Sequence, residues 1–217
     1  MRQATAKQAG RAVPRGRIDK RQAILAAAFD VFARQGYAQS GVDEVAAAAG
    51  VAKATVYNHF GDKETLLREA IAASAEEATA KNLAAVERLV DSGGDLRELL
   101  EDVGHRLVKC YCDEQSWALR RLLYAEIAHL PDLLDIVQGR ASERVQRALA
   151  DRLARLALAG RLRITDPDAA VEQLSALLTG PLEGRSRMGT RRLADAEMRE
   201  VAAAAIGTFL LAFGPAS

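Results

Sequence analysis

Gly50-Val51-Ala52-Lys53-Ala54-Thr55-Val56-Tyr57-Asn58-His59-Phe60-Gly61 is the stretch whose reading decides the fold. Gly50-Val51 interrupts one helical pattern and Gly61 interrupts the next, which predicts a short helix over Lys53–Phe60 between two turns. At about 100° per residue, Val56 and Phe60 fall close together and must face a core. Ala54, Thr55 and Asn58 lie opposite, Tyr57 and His59 flank them, and Lys53 sits in the first turn. No acid occurs between Val51 and Gly61, so the outer face is small or donor-bearing throughout. Such a face suits DNA: Asn pairs with an adenine edge, Lys with guanine, and an Ala methyl meets the thymine methyl. An ordinary solvated helix would show no such preference for donors.

Immediately upstream, Ser40 is placed to cap a helix over Val42–Ala49, with Asp43 in the position of a capping-box acid. Two short helices joined by a glycine turn form the unit that lays its second helix in the major groove. Farther upstream, Ile24, Leu25, Ala28, Val31 and Phe32 make one apolar stripe on a helix expected from Ile18 to Gln35 and closed by Gly36-Tyr37. Residues 1–17 lack periodicity and read as a flexible basic arm. Downstream, Asp62 caps a helix running to Val90, about 43 Å long at ~1.5 Å per residue, long enough to join two domains. Lys63 stands at its start, where an ammonium and free backbone N–H groups suit a phosphate.

The run from Gly36-Tyr37 through Ser40-Gly41-Val42-Asp43-Glu44-Val45-Ala46 and Ala49-Gly50-Val51 to Asn58-His59-Phe60-Gly61-Asp62-Lys63-Glu64-Thr65-Leu66-Leu67 resembles the signature of the tetracycline-repressor (TetR) family. The resemblance covers Ile24 to Leu67 and implies base contacts from Lys53, Ala54 and Asn58, with phosphate contacts from Thr55, Tyr57, His59 and Lys63. It implies an all-α fold, with a three-helix DNA-binding domain over residues 18–66 and a helical bundle over 67–217 for ligand binding and dimerisation. Two departures stand out. Ala52 replaces the usual Ser or Thr and forgoes a cap typically contributing ~1 kcal/mol, and Ala54 replaces a frequent Gly.

Beyond Leu67, helices are expected over Asp95–Cys112, Glu114–His129, Asp132–Ala159, Pro167–Thr179 and Leu193–Phe213. The stretch Leu119–Leu133 resembles the regulatory domain of one branch of the family, and the motifs around Pro167 and Gly180-Pro181 resemble its dimer-forming helices. The last helix is apolar at nearly every angle, as burial on two faces requires. With the resemblance this implies a homodimer through 167–181 and 193–213, and with it a palindromic double-stranded operator; a central helix of a monomeric bundle is the alternative. For a ligand site the candidates are Tyr111, Trp117, Tyr124 and Glu126, the last a carboxylate amid Leu119, Leu122, Leu123 and Leu130. A carboxylate there needs a partner, either a ligand amine or a neighbouring Arg or helix end.

Composition bounds the function classes. Apolar residues make up 49% of the chain, aromatics only 5%, and five prolines leave helices largely uninterrupted. Residues 1–63 hold ten Lys or Arg against five Asp or Glu, whereas the remainder is acidic, so a polyanion partner is expected at that end alone. The apolar run Val201–Phe213 falls short of the roughly 20 residues that span a bilayer, and no signal-peptide core is present, so a cytoplasmic protein with no membrane partner is expected. Cys110 and Cys112 point about 200° apart on a helix and do not bridge. No His, Cys or acid cluster has metal-ligand spacing, so neither metal nor cofactor is expected. The helical pattern places His105 opposite the apolar side, about 140° from Cys110, which argues against a nucleophile–base pair and against an enzyme. The reading is a repressor released by a small apolar or amphipathic effector. An effector-independent architectural DNA-binding protein, or an enzyme using the C-terminal pocket, stays open as an alternative.

Overall fold

A computed structural model of the chain describes residues 15–91 and 93–215. Among these residues the fold is all-α. Ten helices follow in order: α1 (Arg15–Gln35), α2 (Val42–Ala48), α3 (Lys53–Phe60), α4 (Lys63–Glu87), α5 (Leu96–Cys112), α6 (Glu114–Glu126), α7 (Asp132–Val137), α8 (Glu143–Leu158), α9 (Pro167–Ser186) and α10 (Asp195–Phe213). Helix α1 begins three residues earlier than the sequence pattern predicts, and the rest of the expected basic arm, residues 1–14, lies outside the described residues.

Two hydrophobic cores organise the chain. The first gathers the predicted α1 stripe, Ile24, Leu25, Ala28, Val31 and Phe32, with Val45, Val56, Phe60, Leu66 and Leu67. It also takes in Leu119, Leu122 and Leu123 of α6 and Leu133 of α7, so elements of the C-terminal half complete the N-terminal core. The second core joins Val86 at the end of α4 to Val103 and Val108 of α5, Leu149 and Leu153 of α8, Leu174, Leu178 and Leu182 of α9, and Ile206 and Phe209 of α10. Helix α4, 25 residues and about 37 Å at ~1.5 Å per residue, contributes to both.

The structure corrects several expected boundaries. The predicted helix Asp132–Ala159 is two helices with a kink at Gly139 (φ −63°, ψ −122°). The kink lets Leu133 enter the first core while Leu149, Leu153 and Leu156 enter the second. Helix α6 stops at Glu126 rather than His129. Helix α9 does not stop at Thr179 but continues through Pro181 to Ser186. Burial of Leu178 and Leu182, 3% and 0% exposed, offsets a proline cost of about 3 kcal/mol. Ser40 is not the cap of α2: its hydroxyl donates to the carbonyls of Gly36 and Tyr37, Gly41 is the N-cap, and Glu44 rather than Asp43 accepts from the Gly41 N–H at 2.9 Å.

Candidate nucleic-acid interface and body cavity

The turn between α2 and α3 depends on Gly50, whose φ of +65° is a left-handed conformation that glycine adopts without strain. Helix α3 starts from Ala52, which offers no side-chain cap bond, as its side chain requires. Val56 and Phe60, 2% and 5% exposed, pin one face to the first core. The opposite face presents Lys53, Ala54, Tyr57 and Asn58 to solvent, with Thr55 and His59 half-buried at its margins. All seven sequence-predicted contact residues therefore lie on α3 or at the start of α4. Two of their cations are already engaged. The Lys53 ammonium is 2.8 Å from a carboxylate oxygen of Asp43 on α2, which raises its basicity. The Lys63 ammonium donates to the Tyr37 carbonyl and lies 4.3 Å from the centre of the Tyr37 ring, bracing the α1–α2 connection. Asp62 caps α4 by accepting from the Thr65 N–H at 2.6 Å, which holds its carboxyl below the usual range.

The body contains a cavity of about 440 Å³, lined from α4 through α9. Of the four sequence-predicted ligand residues, Tyr111 and Tyr124 line it and the other two do not. Trp117 is 4% exposed and sits behind the wall, edge-on to Tyr111 with centroids 5.4 Å apart. A Cβ on Gly189 would come within 2.3 Å of the Trp117 ring, so the loop before α10 closes over the indole only with glycine there. Glu126, at the end of α6, is half-buried outside the cavity, so it offers a ligand amine nothing there. Burial raises the phenol pKa of both Tyr111 and Tyr124, keeping them neutral donors. The thiols of Cys110 and Cys112 are likewise pushed up by burial.

Comparison with known proteins agrees with this architecture. Residues 24–70 match the family model described as bacterial regulatory proteins, tetR family, and residues 98–215 match that of the AefR-like transcriptional repressor, C-terminal domain. The chain belongs to the TetR family. It is a DNA-binding transcriptional regulator of that family, whose members bind operators and small-molecule effectors and form dimers. A TetR-family transcriptional regulator from Mesorhizobium loti is 28% identical, with a TM-score of 0.86 over 93% of this chain and 100% of that one. The flavonoid-responsive regulator FrrA is also 28% identical, with a TM-score of 0.72 over 92% of this chain and 99% of that one. The HTH-type transcriptional repressor KstR2 of Rhodococcus jostii is 29% identical over 109 residues, 46% of this chain and 52% of that protein. The activator FasR of Mycolicibacterium smegmatis is 45% identical over 47 residues, 22% of each chain. The matched part thus spans about half or less of these curated relatives.

Sequence reasoning named only Tyr111 and Tyr124 of the cavity lining in this TetR-family body and missed its charged residue. Arg120 lines the cavity on the same α6 stripe as Trp117 and Tyr124, three residues after one and four before the other. That spacing was the available signal; an aromatic stripe draws the eye past the arginine within it. His105 was also misplaced by the helical pattern. It is 6% exposed, and its Nε2 lies 3.0 Å from Asp195 on α10, because α10 covers the side of α5 that looked polar. Among the described residues, no helix is long and apolar enough to cross a membrane.

Proposed function

We propose that this regulator is a repressor released from a palindromic operator when a small apolar or amphipathic effector occupies the body cavity. In this reading residues 18–66 read DNA and residues 67–217 bind effector and dimerise. Lys53, Ala54 and Asn58 meet bases, while Thr55, Tyr57, His59 and Lys63 meet phosphates. The observation that carries the coupling is the double membership of two α6 leucines. Leu119 and Leu123 line the cavity and also pack in the core that supports α1 and α3. A ligand that shifts α6 therefore acts on the platform of the reading helix without an intervening element, provided it prefers one arrangement over the other. The Arg68 guanidinium, held by Glu64 on its own helix, lies 2.6 Å from Asp132 and ties α4 to α7. The response of FrrA to a small molecule, stated in its name, accords with an effector here.

Dimerisation is assigned to α9 and α10. Their exposed residues include the small or apolar Ala176, Gly180, Ala203, Ala204, Thr208 and Leu211, with the charged Glu172, Arg185, Arg199 and Glu200 nearer the helix ends. Small residues permit close helix approach, and a symmetric pair of heads sets half-site spacing. The test uses duplexes selected by the full chain from a random pool, followed by fluorescence anisotropy. Asn58→Ala is expected to weaken binding roughly tenfold or more and to relax base preference at one position, in line with about 1–3 kcal/mol for a bidentate base pair. Lys53→Ala should weaken binding and alter preference as well. Unchanged affinity and preference in both variants would remove α3 as the reading element.

A further inference from the structure

The cavity holds a charge that the fold leaves uncompensated. Among the described residues, 22 line the cavity; none is Asp, Glu, Lys or His, and Arg120 is the one charged residue. Other arginines of the body, such as Arg106, Arg144 and Arg161, face carboxylates at 2.9, 2.6 and 2.8 Å. Arg120 faces none among the described residues. Its guanidinium carbon lies 3.7 Å from the Tyr111 ring centre and 4.0 Å from that of Trp117, one N–H donates to the Tyr111 carbonyl, and its Nε is buried without a hydrogen-bond partner.

Two aromatic rings stabilise a cation through their faces but accept no in-plane N–H bond. They therefore hold the guanidinium in place and leave part of its donor fork unused. Taking an arginine out of water without an acid partner is costly, and burial accordingly disfavours its charged form. A planar donor fork fixed in one orientation is the group that recognises a carboxylate with least loss of freedom. The rest of the lining supports the same ligand. Leu107, Leu119, Leu123 and Leu149 offer an apolar bed, and the amides of Asn82 and Gln146 bring hydrogen bonds without competing charge.

We propose that the cavity is an anion receptor whose effector is a small organic acid, with an apolar aromatic or aliphatic body in the leucine bed and its carboxylate on the guanidinium of Arg120. This rests on the reading of the cavity as the effector site, and it reverses the charge that Glu126 suggested, since an amine would meet a like charge. Arg120 is then the residue that selects among ligands of equal shape.

The test is a competition on the full chain with N-phenyl-1-naphthylamine as a neutral fluorescent reporter, and 2-naphthoate or 2-naphthamide as competitors of nearly equal shape. Loss of reporter binding in Ser175→Phe, which fills the cavity, places the reporter there. Naphthoate should then displace it at concentrations about tenfold or more below those of naphthamide, equivalent to ~1.4 kcal/mol. Arg120→Gln should bring the two competitors within about threefold, while Arg120→Lys keeps the preference; circular dichroism reports whether each variant folds. Should Arg120→Gln fail to fold, the wild-type preference and Arg120→Lys decide. Equal displacement by acid and amide in the wild-type chain overturns the anion receptor and leaves the cavity reading intact. A reporter that does not bind, or binds Ser175→Phe equally well, overturns the cavity reading and the receptor with it.

Discussion

Lys53 and Arg120 carry the same charge into opposite surroundings. Lys53 is half exposed and tied to Asp43 across the α2–α3 turn, so in the proposed complex it would exchange that carboxylate for a base. An exposed pair of this kind is worth little, so the exchange is easy. Arg120 instead lies on two aromatic rings, with no acid among the described residues that line its cavity. His105 is a third case. Burial, followed by the nearby Arg199, lowers its pKa below about 6.5 against the opposing pull of Asp195, with Lys109 adding a further like charge. As pH falls, the unfolded chain therefore takes up this proton before the folded one. Stability is fully present above about pH 6.5 and is lost as pH falls from there toward the depressed folded value. Thermal melts from pH 8 to 5 should show the midpoint falling below about pH 6.5, and His105→Gln should flatten that fall. The lowered carboxyls of Asp102, Asp132 and Asp195 act only nearer pH 4, so they leave this window clear. An equal slope in the variant would assign the effect elsewhere.

The helices of the reading head were legible because single residues fix them. Gly36, Gly50 and Gly61 all adopt positive φ, and Val56 and Phe60 recur at one angle of α3. Boundaries in the body were less legible because tertiary burial overrides local signals there. Gly139 reads as tolerable within a helix, yet the chain kinks at it because the flanking leucines belong to different cores. Gly180-Pro181 reads as a stop, yet α9 continues because Leu182 is fully buried beyond it. The cavity charge escaped for a related reason: spacing places Arg120 on a stripe but does not say which neighbouring helix lacks an acid. On α10 the chain's own core takes one face, Val201, Ala202, Ala205, Ile206 and Phe209, and leaves the other exposed. Leu211, 85% exposed, is the largest apolar side chain on that outer face. Leu211→Glu places a carboxylate from each protomer in the proposed interface and should raise the dimer dissociation constant about 100-fold or more, leaving helix content unchanged. Analytical ultracentrifugation at micromolar concentration measures this; a persistent dimer would put the interface on other surfaces.

At the scale of the whole molecule, the two cores divide the chain differently from its order in sequence. The N-terminal core is closed by Leu119, Leu122, Leu123 and Leu133, and the same α6 segment walls the cavity. In the proposed reading, effector binding and DNA reading share the side chains of Leu119 and Leu123, a more direct link than a long α4 lever alone. The arrangement also has a consequence for stability. Each fully buried leucine contributes roughly 1.5–3 kcal/mol. Four of them together rival the ~5–15 kcal/mol that separates a typical folded domain from its unfolded chain. A fragment of residues 1–91 retains α1, α2, α3 and α4 but lacks Leu119, Leu122, Leu123 and Leu133, so its core loses the cover that α6 and α7 supply. It should show no cooperative thermal transition by circular dichroism and poor amide dispersion by NMR, whereas the full chain melts cooperatively. A sharp, reversible melt of the fragment would mean that the reading head folds on its own, and the coupling through Leu119 and Leu123 would then lose its structural basis.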